Sequence, residues 1–249
     1  MLIENREQGF FSCFNLITCG IKKLTDSGIK DFYIQWNNKL YQDDNDNLFD
    51  KYFWQQNLKP TFLFVKYNAF DIQYDPIISK NFKDLKETKL VECLVKNKYF
   101  ETHLIKNIYS KCFKSLNCLG VHIRKTDHKH HGKILEDEIY IKKIDENLNQ
   151  YSSIFLATDD KCVAIKLKKR YGSLINLNEN ICRVSGDVGI HNSKFKNKEK
   201  LVIDVLTDAI SLSCCDKILI TQSNISHYVK MIKPNLEYEY LDNHINYKM

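Results

Sequence analysis

The segment Leu119-Gly-Val-His-Ile-Arg-Lys-Thr-Asp127 gives the first indication of the fold. Its apolar first half predicts a buried strand, which ends in two adjacent cations, a hydroxyl and a carboxylate. Two further hydrophobic strands are predicted at Ile154–Ala157 and Lys217–Thr221, and predicted helices of about 10–17 residues separate the strands. This alternation predicts an α/β fold with a parallel, doubly wound sheet, in which ligands bind at the carboxyl ends of the strands.

Polar side chains lie at or just after the ends of these three strands, namely His122, Arg124, Lys125, Asp127, Asp159, Asp160, Ser223 and Asn224. The Arg124 guanidinium suits a phosphate or diphosphate, because its donors bind in pairs and keep their charge at any relevant pH. Ordinary structural roles stay open beside this one. Arg124 or Lys125 can form a surface salt bridge with Asp127. The side chains suited to cap the following helices are Asp159, Asp160, Asn224 and Ser226.

The composition is that of a globular chain with one large domain or two small ones. Of its 249 residues, 43% are hydrophobic and 27% are charged, and the formal net charge is +6. That charge permits an anionic ligand but is too mild to predict binding to nucleic acid or to a membrane surface. Residues 1–7 are too polar for a signal peptide, and no run approaches the roughly 18 apolar residues of a membrane span. We therefore expect a cytoplasmic protein.

The 37 basic residues include only four arginines, at positions 6, 124, 170 and 183. Against this bias toward lysine, each arginine is expected at a site whose geometry needs a planar fork of donors. Nine cysteines at irregular spacings, without a CxxC motif, predict neither a disulfide framework nor a zinc site. The histidines within 128–131 lack a closing cysteine or acidic ligand, and 43–46 is expected to be a solvated acidic loop. No metal site is predicted.

Three segments, in this order, resemble the motifs of the α1,6-fucosyltransferase family and its relatives, the Nod-factor, α1,2- and protein O-fucosyltransferases. They are His122-Ile-Arg-Lys-Thr-Asp127, Phe155–Asp160 and Asp208–Asn224, and the similarity covers 118–230, roughly half of the chain. The resemblance implies a GT-B-like α/β fold with two Rossmann-like lobes built on parallel sheets. Residues 1–112 would then form an acceptor-side lobe, and residues 113–249 the lobe that binds the nucleotide sugar.

The resemblance also implies roles at the phosphates of the donor, GDP-fucose. Arg124 would hold the β-phosphate, and His122 would line the same pocket. Lys125 stands where the family usually has a second arginine. At this position the phosphate would therefore meet the compact charge of an ammonium group instead of a planar fork of donors. Ser223 and Asn224 match the family's serine pair near the phosphates, with Asn224 in place of the second serine.

At the nucleoside, the resemblance implies that Asp208 binds guanine, whose N1–H and N2–H offer paired donors to a carboxylate. Asp159 and Asp160 match the family's acidic pair and would be structural or close to the donor. The implied donor site therefore consists of His122, Arg124, Lys125, Asp159, Asp160, Asp208, Ser223 and Asn224.

The implied reaction is an inverting transfer of L-fucose from GDP-fucose to a hydroxyl of an oligosaccharide or glycan acceptor. No metal is required, because Arg124 and its neighbours would neutralise the charge of the leaving diphosphate. A base must approach the acceptor hydroxyl, and Asp127 is the nearest candidate by sequence. His128 and Glu7 are the alternatives.

Two other functions stay open. The fold can serve a transferase for another GDP- or UDP-sugar, since Asp208 indicates guanine only through the resemblance. The chain can also be a non-catalytic protein that binds a nucleotide or glycan, because the segment 128–132 lacks the carboxylate that the family tends to carry after the first motif.

Overall fold

The computed structural model describes residues 2–3, 9–15, 17–18, 28, 34–43, 46–53, 117–126, 134–186, 189–190 and 197–242. The chain divides into two compact units, Met1–Ser110 and Lys111–Met249. Among the predicted site residues, Asp127 lies outside the described ranges, as do the alternative bases His128 and Glu7.

The described part of the first unit is built around buried aromatic side chains. β1 (Leu2–Ile3) pairs in parallel with β2 (Gln35–Trp36), and α1 spans Leu48–Tyr52. The Asn47 side chain caps α1 and donates a hydrogen bond to the Ile34 carbonyl over 2.7 Å. The ring of Phe10 contacts those of Phe11, Trp36, Tyr41, Tyr52 and Phe53. Aromatic packing therefore contributes much of the apolar burial among the described residues of this unit.

The second unit contains a five-stranded parallel sheet with strand order β5-β4-β3-β6-β7. Its strands are β3 (Cys118–Ile123), β4 (Ser153–Thr158), β5 (Ile175–Asn176), β6 (Lys217–Ile220) and β7 (Glu237–Tyr240). Its helices are α2 (Asp137–Asn147), α3 (Lys161–Tyr171), α4 (Lys198–Ser213) and α5 (Asn224–Ile232). None of the described helices is long and apolar enough to cross a membrane.

β3, the middle strand of this sheet, and its neighbour β4 are buried along their whole length. Their apolar sequences suit a parallel sheet that is covered on both faces. β3 coincides with the strand predicted in the apolar first half of Leu119–Asp127, and β4 agrees within one residue at each end with the predicted strand Ile154–Ala157. The predicted α/β fold with a parallel sheet is therefore confirmed.

Gly120 allows β3 to approach its neighbours closely. A Cβ atom at this position would lie 2.6 Å from a side-chain carbon of Ile218 and 3.0 Å from the Cys215 sulfur. Both neighbours are fully buried. The sheet therefore has no room for a larger residue at position 120 unless these neighbours move.

The substitution Gly120→Ala is expected to destabilise the protein by about 1–3 kcal/mol, because overpacking a dense core forces its side chains out of their preferred positions. Chemical denaturation of the purified chain measures this change. Gly9→Ala is the control, since a Cβ atom there would meet nothing closer than 4.0 Å. Equal midpoints for wild type and Gly120→Ala would contradict this account of the packing.

Two features of the second unit differ from the sequence-based expectation. α5 begins at Asn224 and is capped by Ser223, whereas the sequence predicted Asn224 or Ser226 as the cap. β7 was not predicted, since its sequence Glu237-Tyr-Glu-Tyr240 lacks the apolar run that marks the other strands. Lys217 on β6 pairs with Glu239 over 3.2 Å and supports this strand at the edge of the sheet.

Candidate functional site

The carboxyl ends of β4, β3 and β6 lie side by side at one edge of the sheet, because the three strands are parallel neighbours. Those of the predicted polar groups that the structure describes are thereby brought to the same edge. α4, which carries Asp208, packs against β3 and β4. The candidate site is therefore defined by the ends of three strands and one side of a helix.

Asp159 binds three groups of the turn that follows β3. Its Oδ2 lies 3.2 Å from Arg124 Nη1 and accepts a hydrogen bond of 2.6 Å from the Thr126 hydroxyl. Its Oδ1 accepts a hydrogen bond of 3.0 Å from the Lys125 backbone N–H. The Asp159 side chain is only 8% exposed, whereas that of Arg124 is 24% exposed. A buried carboxylate thus holds one end of a guanidinium that still reaches solvent.

The Lys125 ammonium is engaged at the start of α2. Its Nζ donates a hydrogen bond of 2.5 Å to the Leu135 carbonyl and lies 2.7 Å from Asp137 Oδ1. Burial raises the pKa of Asp137, but hydrogen bonds from Lys125 and Lys166 outweigh burial, and the pKa lies below its usual value. The predicted contact of Lys125 with phosphate therefore competes with a partly buried ion pair and stays a prediction.

His122 connects β3 to the start of α5. The histidine is buried, and its Nδ1 lies 3.4 Å from both Ser223 Oγ and Ser226 Oγ. The Ser226 hydroxyl donates to the Thr221 carbonyl over 2.9 Å, and its oxygen lies 2.9 Å from Ser223 Oγ. This network fixes the first turn of α5 against the end of the central strand.

Two helices begin at this edge, and each has a side-chain cap. Asp160 Oδ1 accepts a hydrogen bond of 2.9 Å from the Val163 N–H at the start of α3, which confirms its predicted capping role. Ser223 Oγ accepts one of 3.1 Å from the Ser226 N–H at the start of α5. Asn224 is the first, exposed residue of α5. The amino terminus of a helix favours anions, because its backbone N–H groups and its dipole are both positive there.

Asp208 is a buried carboxyl group on α4. Its Oδ1 accepts a hydrogen bond of 2.9 Å from the Asn178 side chain. Burial raises the pKa of Asp208 to about 7, against the hydrogen bond from Asn178 and the charge of Arg183, which both lower it. Burial thus favours the protonated form of Asp208 far more than that of an ordinary aspartate, and carboxyl groups with such a perturbed pKa are common at functional sites.

Arg183 lies next to this carboxyl group and was not among the predicted site residues. Its Nη1 donates hydrogen bonds of 3.1 Å to the Asn178 carbonyl and 3.4 Å to the Ile181 carbonyl. The scarcity of arginine in the chain was the one sequence signal for it. Asn178 carried no such signal, because it lies in a loop without a recognisable pattern.

The described residues contain no group of three or more His, Cys, Asp or Glu side chains arranged to hold a metal ion. What they do contain at the sheet edge is a partly exposed guanidinium, a helix amino terminus and a buried carboxyl group. A guanidinium and a helix terminus bind phosphate, and a carboxylate accepts paired N–H donors.

In open parallel α/β sheets, ligands bind outside the carboxyl ends of the strands, which is where these groups lie. Neither a protein-family model nor a curated protein matches the chain. Among solved structures, the fold is similar to fucosyltransferase NodZ from Bradyrhizobium, with a TM-score of 0.55 and 14% identity over 98% of this chain and 96% of that chain.

Two further similar structures are of NodZ α-1,6-fucosyltransferase with its ligands. The one co-crystallised with GDP has a TM-score of 0.53 and 15% identity, over 92% of this chain and 91% of that chain. The one soaked with GDP-fucose has a TM-score of 0.52 and 14% identity, over 94% and 92%. The likeness is one of fold, and it confirms the predicted resemblance to fucosyltransferases at that level.

Proposed function

We propose that the chain is an inverting glycosyltransferase that moves L-fucose from GDP-fucose to a hydroxyl of a glycan acceptor. The observation that carries the proposal is the meeting of Arg124, His122 and the start of α5 at the sheet edge, in a fold similar to NodZ. In the proposed GT-B arrangement, residues 113–249 bind the donor and residues 1–112 face the acceptor.

The proposed donor site has a phosphate end and a base end. Arg124 binds the β-phosphate, with its guanidinium already oriented by Asp159. Backbone N–H groups at the start of α5, beside Ser223 and Asn224, bind phosphate oxygens as well. Asp208 binds the guanine at the other end.

The proposed chemistry rests on charge at the leaving group. Negative charge grows on the β-phosphate as the bond from the sugar to its oxygen breaks, and donors that are fixed in advance stabilise that charge. Arg124 supplies a permanent positive charge there, so the reaction needs no metal ion. Asp127 is the proposed base for the acceptor hydroxyl, with His128 and Glu7 as alternatives.

A GDP-release assay tests this proposal. The full chain is incubated with GDP-fucose, EDTA and a panel of glycan acceptors, and the release of GDP is measured. The release of UDP from UDP-sugars is measured under the same conditions for comparison. We expect acceptor-dependent release of GDP that persists in EDTA. Turnover of a UDP-sugar in place of GDP-fucose would contradict the proposed donor. Tight binding of GDP-fucose without release by any acceptor would favour a non-catalytic binding protein.

A further inference from the structure

Two hydrogen-bond donors of the Arg183 guanidinium, Nε and Nη2, have no acceptor among the described residues. Nη1 is used by the Asn178 and Ile181 carbonyls, but Nε and Nη2 are buried and meet no acceptor in the part of the chain that the structure describes. Buried donors without an acceptor are rare in native proteins. Nε and Nη2 form the side-on fork of the guanidinium, which presents two parallel N–H groups to one planar partner.

The backbone around Arg183 is held on two sides. The Val184 N–H donates to the Asp159 carbonyl over 3.0 Å, beside the end of β4. The Cys182 N–H donates to Asp204 Oδ2 over 3.0 Å, which ties the segment to α4. Asp204 is in turn paired with Lys200 over 2.8 Å. The position of the unsatisfied fork is therefore fixed by the fold.

The surroundings of the fork decide which partner suits it. Arg183 and Asp208 are both bonded to Asn178, and Asp204 lies on the same side of α4. Asp204 is paired with Lys200, but the Asp208 carboxyl group beside the fork disfavours a phosphate, which is the other common partner of an arginine fork. A neutral, planar ligand with two adjacent acceptors is the better match.

We propose that Arg183 binds the O6 and N7 edge of guanine while Asp208 accepts N1–H and N2–H of the same base, an inference that rests on the proposed function. O6 and N7 are the pair of acceptors that an arginine fork recognises on guanine. Adenine presents an amino group where guanine has O6, and uracil has no N7. Two donors and a carboxylate together thus select guanine among the bases of nucleoside diphosphates.

Calorimetric titration with GDP and with 7-deaza-GDP, in which a C–H replaces N7, tests this contact. Wild type is expected to bind GDP more tightly than 7-deaza-GDP. Arg183→Met is expected to bind GDP about 10- to 100-fold more weakly than wild type and to bind the two ligands alike. Arg183→Lys, which keeps the charge but not the fork, is expected to lose the same preference. Arg170→Met is the matched control, because Arg170 is exposed on α3 and pairs with Asp145 over 2.8 Å.

The outcomes separate this inference from the proposed function. Suppose that wild type binds GDP. If Arg183→Met then binds GDP equally well, or if its affinities for GDP and 7-deaza-GDP fall by the same factor, the assigned contact is wrong and the donor site stands. If wild type binds no nucleoside diphosphate, both are wrong. Thermal unfolding of each variant shows whether it is folded, and Arg183→Lys provides the test if Arg183→Met is not.

Discussion

Arg124→Ala is expected to slow the transfer of fucose from GDP-fucose by about 10²–10³-fold, the usual effect of removing one donor that faces developing negative charge. The expected loss is mainly in kcat, because charge on the β-phosphate is larger in the transition state than in the bound donor. Steady-state GDP release at saturating donor measures it. The structure supports a role for Arg124 in which Asp159 orients the guanidinium before the donor binds.

Two further variants make this result specific. Arg124→Lys keeps a positive charge but loses the planar fork, so we expect it to recover only part of the lost rate. Arg170→Ala removes an exposed arginine from the same unit and is expected to leave kcat unchanged. An unchanged kcat in Arg124→Ala would contradict the proposed phosphate contact.

GDP binding is expected to weaken as the pH falls from 8 to 6, by a factor that approaches tenfold per pH unit below pH 7. Burial raises the pKa of Asp208 to about 7, so the group loses its charge within this range. A protonated carboxyl group cannot accept hydrogen bonds from N1–H and N2–H at both oxygens. Asp208→Asn is expected to bind GDP weakly at pH 8 and to show no such pH dependence. Glu146→Gln, which removes an exposed carboxylate, is the control for loss of charge.

The raised pKa of Asp208 also predicts how the stability of the protein depends on pH. The pKa of Asp208 is higher in the folded protein than the ordinary aspartate value of 3.8, so the unfolded chain loses this proton at lower pH than the folded chain does. The contribution of Asp208 to stability therefore falls as the pH rises from about 4 to about 7. Asp208→Asn removes this contribution, and its stability is expected to depend less on pH over that window. A flat binding profile in wild type and equal pH dependence of unfolding in both proteins would contradict the assignment.

The three inner strands β4, β3 and β6 could be predicted because their sequences are apolar and mostly buried on both faces of the sheet. The apolar run from Leu119 to Ile123 predicts a buried strand, and the polar residues that follow it predict the site at the end of that strand. β7 could not be found in this way, since the glutamates of Glu237–Tyr240 pair with lysines on neighbouring elements instead of being buried. The cap of α5 could not be chosen from the sequence, because Ser223, Asn224 and Ser226 are all good capping residues, and only the network around His122 selects Ser223.

The candidate site was predictable where motifs carry it and hidden where only tertiary contacts do. Arg124 and Asp208 were singled out from motifs, and Asp160 was expected to cap a helix. The bonds from Asp159 to the turn after β3 depend on the register of two strands, which a sequence does not give. Arg183 reaches Asn178 within an irregular loop, so no periodic pattern could connect either residue to Asp208.

Thermal unfolding of the full chain in the presence of GDP, UDP or ADP, each with and without EDTA, tests the central claim most directly. Ligand at a hundredfold excess over its Kd adds about 2.7 kcal/mol of stability, which raises Tm by about 5–10 °C for a protein of this size. We predict such a shift for GDP, no shift for ADP at the same concentration, and no effect of EDTA. A larger shift with UDP than with GDP, or no shift with any nucleotide from folded protein, would contradict the proposed donor site.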